Sequence, residues 1–217
     1  MDYPVRFQVE PPDGERNRLT VGVRPILAIP HLLLVGGPVV GILGGGYRTG
    51  AFGVLAFAVA VLDWFAILIT GHPLAGLQGL KRLYLTWRAR SLAYCAMLRD
   101  EYPPFGEGPY PATLTLPEEA PVRDRLTVAL RPLLAIPHLV ALLGLLICWV
   151  VVAVVSWLMI LLTGKLGPEL WRFSRDVMAY GLRLEAYVLL IHDQFPPFAL
   201  AVDEATAPLA PVAPAAR

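Results

Sequence analysis

The residues best placed to do chemistry in this chain are two histidines and one aspartate, each set in an apolar stretch. His31 closes the phrase RPILAIPH at 24–31, and His138 closes RPLLAIPH at 131–138. In both copies an arginine, Arg24 or Arg131, stands seven residues ahead of the imidazole, two turns along one helical face. A proline, Pro30 or Pro137, directly precedes each histidine and is placed to bend the helix there. Matched imidazoles facing each other could serve as axial ligands to haem b or as a proton relay. The same pattern also suits a structural histidine, held by a carbonyl that the proline frees or placed at the lipid headgroup level. Asp63 lies about twelve residues into an apolar run of twenty, where a charged aspartate costs about 3 kcal/mol on insertion scales. Such a residue faces protein, either along an ion or proton pathway or in a contact between helices or subunits.

Other reactive constellations are missing from the sequence. There is no C-x-x-C-H for covalent haem and no His-x-x-x-His pair for zinc. The glycine-rich GILGGG has no following Lys-Ser/Thr, and no nucleophile elbow or paired-carboxylate site is present. Cys95 and Cys148 read as small apolar residues without a disulfide. His72 and His192 fall near helix ends and read as interfacial. No metal site is expected, and haem b is the one cofactor alternative.

The elements that carry these residues are those of a membrane protein. Of 217 residues, 56% are hydrophobic and only 16% charged, against about 25% charge in soluble domains, and mean hydropathy is +0.59. Runs at 51–70 and 132–163 are long enough to read as spans. The polar, proline-rich N-terminus has no signal-peptide pattern, so the first span itself is expected to direct insertion. A formal charge of +1 implies no nucleic-acid partner.

The chain is also a duplication. RLTVGVRPILAIPH at 18–31 matches RLTVALRPLLAIPH at 125–138 in 11 of 14 positions at an offset of 107, and Tyr3-Pro4 and Tyr110-Pro111 share that offset. DWFAILITG from Asp63 aligns with SWLMILLTG from Ser156, and RDEYPPF from Arg99 with HDQFPPF from His192, now at an offset of 93. The first unit therefore carries 14 extra residues between its histidine and its tryptophan. Unit one covers 3–105, with spans near 25–45 and 51–70 and an interfacial helix at 74–99. Unit two covers 110–198, with 132–163 as a shallow hairpin or one long span and an interfacial helix at 168–192. Duplication favours the hairpin, because both units should enter and leave on one side. Each unit opens with an alternating stretch that reads as a strand, and the two strands can pair at the cytoplasmic surface. The tail, 199–217, is Pro/Ala-rich and reads as extended.

Arginine and lysine flank the apolar runs, with Arg48 alone at a hairpin tip, so the positive-inside rule puts both termini in the cytoplasm. Gly37-x-x-x-Gly41 and Gly41-x-x-x-Gly45 suit close helix packing. The YPPF and FPPF stretches read as aromatic interface anchors, and Arg24, Pro30, Arg131 and Pro137 as structural anchors of the repeat.

The order Tyr-Pro, R-P-x-L-A-I-P-H, W-x-x-I-L-x-T-G, D-x-[YF]-P-P-F over 3–198 resembles a bacterial family of membrane proteins, domain of unknown function 4389, often present as two copies. The resemblance implies a helical membrane protein and brings no catalytic or binding residue with it. Asp63 departs from the uncharged residue usual before this tryptophan. The expectation is thus an all-α integral membrane protein of two tandem homologous units, each a short surface strand, a helical membrane hairpin and an amphipathic interfacial helix. It is expected to be multi-pass in the bacterial cytoplasmic membrane and not an enzyme. Its partners are expected to be membrane lipids and another membrane subunit or a second copy, in an accessory, scaffolding or lipid-interacting role. A small transporter or channel using Asp63 and the two histidines is the alternative, and a haem b protein the second alternative.

Overall fold

Alternating apolar residues at both unit starts form the expected strands, β1 (Arg6–Val9) and β2 (Ala112–Thr115). The computed structural model describes residues 3–12, 14–38, 50–74 and 76–201. The strands pair antiparallel, with Phe7 opposite Leu114, Arg6 opposite Thr115 and Gln8 opposite Thr113. Phe7 therefore faces its own repeat counterpart, and the neighbouring pairs map onto one another, so a pseudo-twofold axis passes through the Phe7–Leu114 pair. Phe7, Val9, Ala112 and Leu114 point into the main core, while Thr113 and Thr115 face outward.

Beneath the strands lie α4 (Gln78–Cys95) and α6 (Pro168–Val188), packed on β2 and β1 respectively. They run antiparallel. Lys81 Nζ donates to the Leu189 carbonyl at one end, Arg88 Nε meets Glu185 midway, and Trp171 Nε1 reaches the Leu98 carbonyl at the other. The sequence pattern suggests interfacial helices here, yet 11 of the 18 residues of α4 are buried. Arg88 and Arg183 bond to backbone carbonyls and a carboxylate inside the protein, while Arg172 pairs with Glu169 at the surface.

The favoured hairpin in unit two does not form. Residues 125–163 make one helix, α5 (Arg125–Thr163), of 39 residues and about 58 Å. Asp124 caps its start through a bond from the Leu126 N–H, and Gly164, left-handed at φ 72°, ends it. Gly144 alone does not make a turn, since a lone glycine costs a helix only about 1 kcal/mol.

Unit one uses the same helix in pieces. α1 (Arg18–Leu27) and α2 (Ile29–Val35) are bent by 42° at Ala28, and α3 (Gly50–Thr70) follows. By the offsets of 107 and 93, Val35 and Gly50 correspond to Leu142 and Leu143, which are adjacent residues of α5. The 14 extra residues are therefore 36–49, inserted in the sequence where α5 continues; 39–49, with Gly41, Gly45 and Arg48, lie outside the described residues. Gly50 sits directly on the end of α2: a Cβ there would come within 2.4 Å of the Leu34 carbonyl, and its φ is +71°. Only glycine fits. Neither unit doubles back, so the spans expected at 25–45 and 51–70 are not the arms of a hairpin.

Cross-repeat bonds fix the direction. Trp64 Nε1, near the far end of α3, donates to the Val128 carbonyl at the start of α5 (2.9 Å), and Trp157 Nε1, near the end of α5, donates to Val21 in α1 (3.0 Å). The two long paths are thus antiparallel neighbours related by the same pseudo-twofold. Pro25 and Pro132 explain the acceptors. Each proline lacks an N–H, so the carbonyl four residues earlier, Val21 or Val128, has no helical donor, and the other repeat's tryptophan supplies one.

The result is three layers: strands, then α4 and α6, then a floor of α1–α2–α3 beside α5. The inner face of α5 is buried at Val128, Ala135, Leu142 and Ile160, while its outer face, from Leu126 through Val140, Val151 and Leu158 to Leu162, is exposed and apolar. α3 and α5 are long and apolar enough to cross a membrane, as is the bent α1–α2 pair if counted as one span.

The proline–tryptophan pairing predicts a specific double-mutant result. Trp157→Phe should cost about 1–3 kcal/mol by stranding the Val21 carbonyl. Pro25→Ala, which restores the missing N–H, should recover most of that loss in the Trp157→Phe background. Thermal unfolding in detergent measures both, and strictly additive effects would refute the pairing.

Candidate functional site

The two histidines that could form one shared site are each enclosed by their own repeat. His31 stacks on Phe105 (centroids 4.5 Å apart, 16°), lies 4.9 Å from Tyr102, and accepts at Nδ1 from Trp87 Nε1 (3.0 Å). Because an indole can only donate, that nitrogen is unprotonated. His138 stacks on Phe198 (3.8 Å, 8°), lies 4.8 Å from Phe195, and contacts the Tyr180 hydroxyl through Nδ1 (2.7 Å). The repeated IPH and PPF phrases are therefore two halves of one device, in which the aromatics flanking Pro-Pro close over the imidazole. Both histidines are fully buried. A bis-histidine haem needs both imidazoles to present Nε2 to one flat slot; each ring here is stacked within its own repeat, and each Nε2 has no hydrogen-bond partner.

Arg24 and Arg131 hold the ends of the middle helices. Arg131 Nη1 donates to the Tyr187 and His192 carbonyls (3.0 Å each), and Nη2 to Asp193 (2.7 Å). Arg24 makes the equivalent bonds to Tyr94, Arg99 and Asp100 (3.1, 3.0 and 2.5 Å). Each guanidinium also lies over a tyrosine ring, Tyr94 at 4.6 Å or Tyr187 at 4.4 Å. A second arginine completes each clamp: Arg123 donates to the Ile191 carbonyl and to Asp193 (2.8 and 2.9 Å), and Arg16 to the Met97 carbonyl and toward Asp100. Met97 and Leu190, at equivalent positions, are left-handed at φ 58° and 59°. Four cations thus cap the carbonyl ends of α4 and α6, where a helix dipole favours positive charge. Arg16 and Arg123 escape a search for reactive motifs, although their shared offset of 107 marks them as repeat equivalents.

Asp63 is buried and saturated. Its Oδ1 accepts from the Leu74 N–H (2.8 Å), and its Oδ2 from Gln78 Nε2 (2.8 Å) and Lys81 Nζ (2.5 Å). The partner expected from an adjacent helix is a lysine of α4, and both side chains are fully buried. At the offset of 93, unit two has Ser156 and Ser174 in their places, so both members of the ion pair are replaced together. Arg88 shows the same logic. It donates to the Val35 and Gly37 carbonyls exposed where α2 ends, whereas its counterpart Gly181 lies against Leu142 where α5 runs on unbroken. Among the described residues no group of three His, Cys, Asp or Glu side chains could hold a metal ion.

A family model described as Domain of unknown function (DUF4389) matches residues 49–106 and again 125–199. The chain belongs to this family. It carries two copies, and the first match starts at the last residue of the 14-residue insertion 36–49, the point where unit one regains the register of unit two. No curated protein and no solved structure matches the chain.

Two outcomes follow from this packing. Lys81→Met should lower stability by about 3–5 kcal/mol, because it leaves a buried carboxylate unpaired. Asp63→Ser with Lys81→Ser, the combination unit two uses, should recover most of that loss in thermal unfolding; a double variant no better than the single would refute the pairing. His192, 3.1 Å from the Tyr3 hydroxyl, is pushed down to about 4 from 6.5 by burial and then by the Arg131 and Arg123 charges. The unfolded chain therefore takes up a proton before the folded one does. Stability should hold above pH 6.5 and fall as pH drops toward 4, by about 3 kcal/mol in all, and His192→Gln should flatten that slope in denaturant titrations.

Proposed function

We propose that this protein is a non-enzymatic, lipid-interacting membrane module that lies along one face of the bacterial cytoplasmic membrane and acts as an accessory or scaffolding subunit. The observation that carries this reading is the one-sided apolar floor. The exposed face of α5 alone runs from Leu126 to Leu162, about 54 Å along the helix, against about 30 Å for a bilayer core.

The position of the strands favours helices lying along the membrane over helices crossing it. The pseudo-twofold axis sets β1 and β2 over the middle of the helices. A crossing orientation would hold Arg6, Gln8, Thr113 and Thr115 near mid-bilayer together with the two-stranded sheet, and open sheet edges are not tolerated in lipid. With the floor in the plane of the interface, the strands, the arginine clamps and both termini share the cytoplasmic side, as the positive-inside pattern requires. The polar groups that suggested transport or redox chemistry are engaged in helix capping, stacking and ion pairing, which supports a structural role for them.

His72 and Lys165 are repeat equivalents at opposite ends of the floor, and both are exposed. His72→Cys and Lys165→Cys, each in a Cys95→Ser/Cys148→Ser background, should react with a membrane-impermeant maleimide from the same side, in inverted vesicles and not in intact spheroplasts. Labelling from opposite sides would overturn the in-plane reading.

A further inference from the structure

The floor helices carry little charge. On α1, α2, α3 and α5 the buried charges are Arg24, Asp63 and Arg131, and the exposed ones are Arg18 and Arg125 alone. These two are repeat equivalents at opposite ends of the floor. The turn before each is clipped to the end of the other repeat's helix: the Arg16 N–H donates to the Gly164 carbonyl (2.8 Å), and the Arg123 N–H to the Gly71 carbonyl (3.0 Å). Both glycines are left-handed, at φ 72° and 82°. A Cβ on Gly164 would lie 3.2 Å from Arg18 Nε and 3.3 Å from its Nη2, and one on Gly71 3.4 and 3.5 Å from the same atoms of Arg125. Each guanidinium thus rests against a helix C-terminus, where the dipole favours a cation. Among the described residues, none hydrogen-bonds to it or pairs with it. Asp124, next to Arg125, is committed to the Leu126 N–H and the Thr127 hydroxyl. The four most exposed large apolar side chains among the described residues flank these arginines: Leu19 (84%) and Leu162 (75%) by Arg18, Ile69 (74%) and Leu126 (68%) by Arg125.

We propose that Arg18 and Arg125 each hold the phosphate of an anionic phospholipid, so that the floor selects membranes with net negative headgroups. This rests on the membrane reading above. The flanking leucines and isoleucine seat each guanidinium at the boundary between acyl chains and headgroups, the level of the lipid phosphates. A guanidinium with its Nη groups free presents a planar fork that matches two phosphate oxygens. The exposed charges of the floor helices are both positive, so a net negative headgroup is attracted there, while the choline or ethanolamine of a zwitterionic lipid cancels the gain from its phosphate. The sites stand at the two ends of α5, about 58 Å apart, so each takes its own lipid.

Native mass spectrometry of the full chain in detergent, titrated with phosphatidylglycerol or phosphatidylcholine, resolves each lipid as it binds. The first two phosphatidylglycerols should each bind about fivefold more tightly than phosphatidylcholine, the gain expected from one basic side chain at an anionic surface. Arg18→Gln and Arg125→Gln should each lose that preference for one lipid, and the double variant for both, at an unchanged melting temperature. Arg172→Gln, which removes an exposed arginine of α6 that pairs with Glu169, should keep it for both. Equal affinities in the wild type, a preference that survives in the double variant, or one lost in Arg172→Gln would overturn the proposal. If the double variant does not fold, salt decides on the wild type. The preference should shrink as sodium chloride screens exposed charges, and a salt-independent preference would overturn the proposal equally. Flotation with vesicles after detergent removal separates the two readings. A chain that floats equally with phosphatidylcholine and phosphatidylglycerol vesicles sinks only this inference, while one that floats with neither sinks the membrane reading as well.

Discussion

A proline inside an apolar helix strands the carbonyl four residues earlier, and apolar surroundings hold no water to bond it. This chain meets that constraint twice with one solution. Pro25 frees Val21, which takes its bond from Trp157, and Pro132 frees Val128, which takes its bond from Trp64. In each case the donor comes from the other repeat. Neither unit can therefore complete its own long helix, and the antiparallel pairing of the floor follows from where the two tryptophans must reach.

The arginine clamps do for the middle layer what the tryptophans do for the floor. Four guanidiniums gather the carbonyl ends of α4 and α6 and bring the segments after them back onto the first halves of the floor helices. That return carries each PPF segment across its histidine, so the stacked cages depend on the clamps. The histidines are packing surfaces with one satisfied nitrogen, and their equivalence follows from the fold they share.

The departures from symmetry are compensated locally. The end of α2 at Val35 leaves carbonyls at Val35 and Gly37, and Arg88 stands where unit two has Gly181 to let Leu142 approach. Asp63 and Lys81 likewise exchange together for Ser156 and Ser174. A buried charge is tolerable only with its partner, so such positions change in pairs or not at all.

Much of this was legible from residue types and spacing. The duplication, the two offsets, the 14-residue insertion, the paired strands and the burial demanded by Asp63 all follow from local identity and from the cost of charge in apolar surroundings. The shape of 132–163 was not legible. An apolar run of that length satisfies its backbone equally well as one helix or as a buried hairpin, and the flanking charges suit either. Proline did not decide it, because α5 keeps both of its prolines within one helix while the equivalent 18–35, with prolines at the same two positions, breaks at Ala28. The amphipathic pattern of 168–192 likewise did not show that Arg183 would meet the Ala199 and Leu200 carbonyls while Arg172 stays at the surface. Those outcomes were set by contacts between residues a hundred positions apart, Trp157 to Val21 and Lys81 to Leu189 among them. Sequence periodicity reports which face of a helix is apolar; only the tertiary structure determines what that face and its opposite meet.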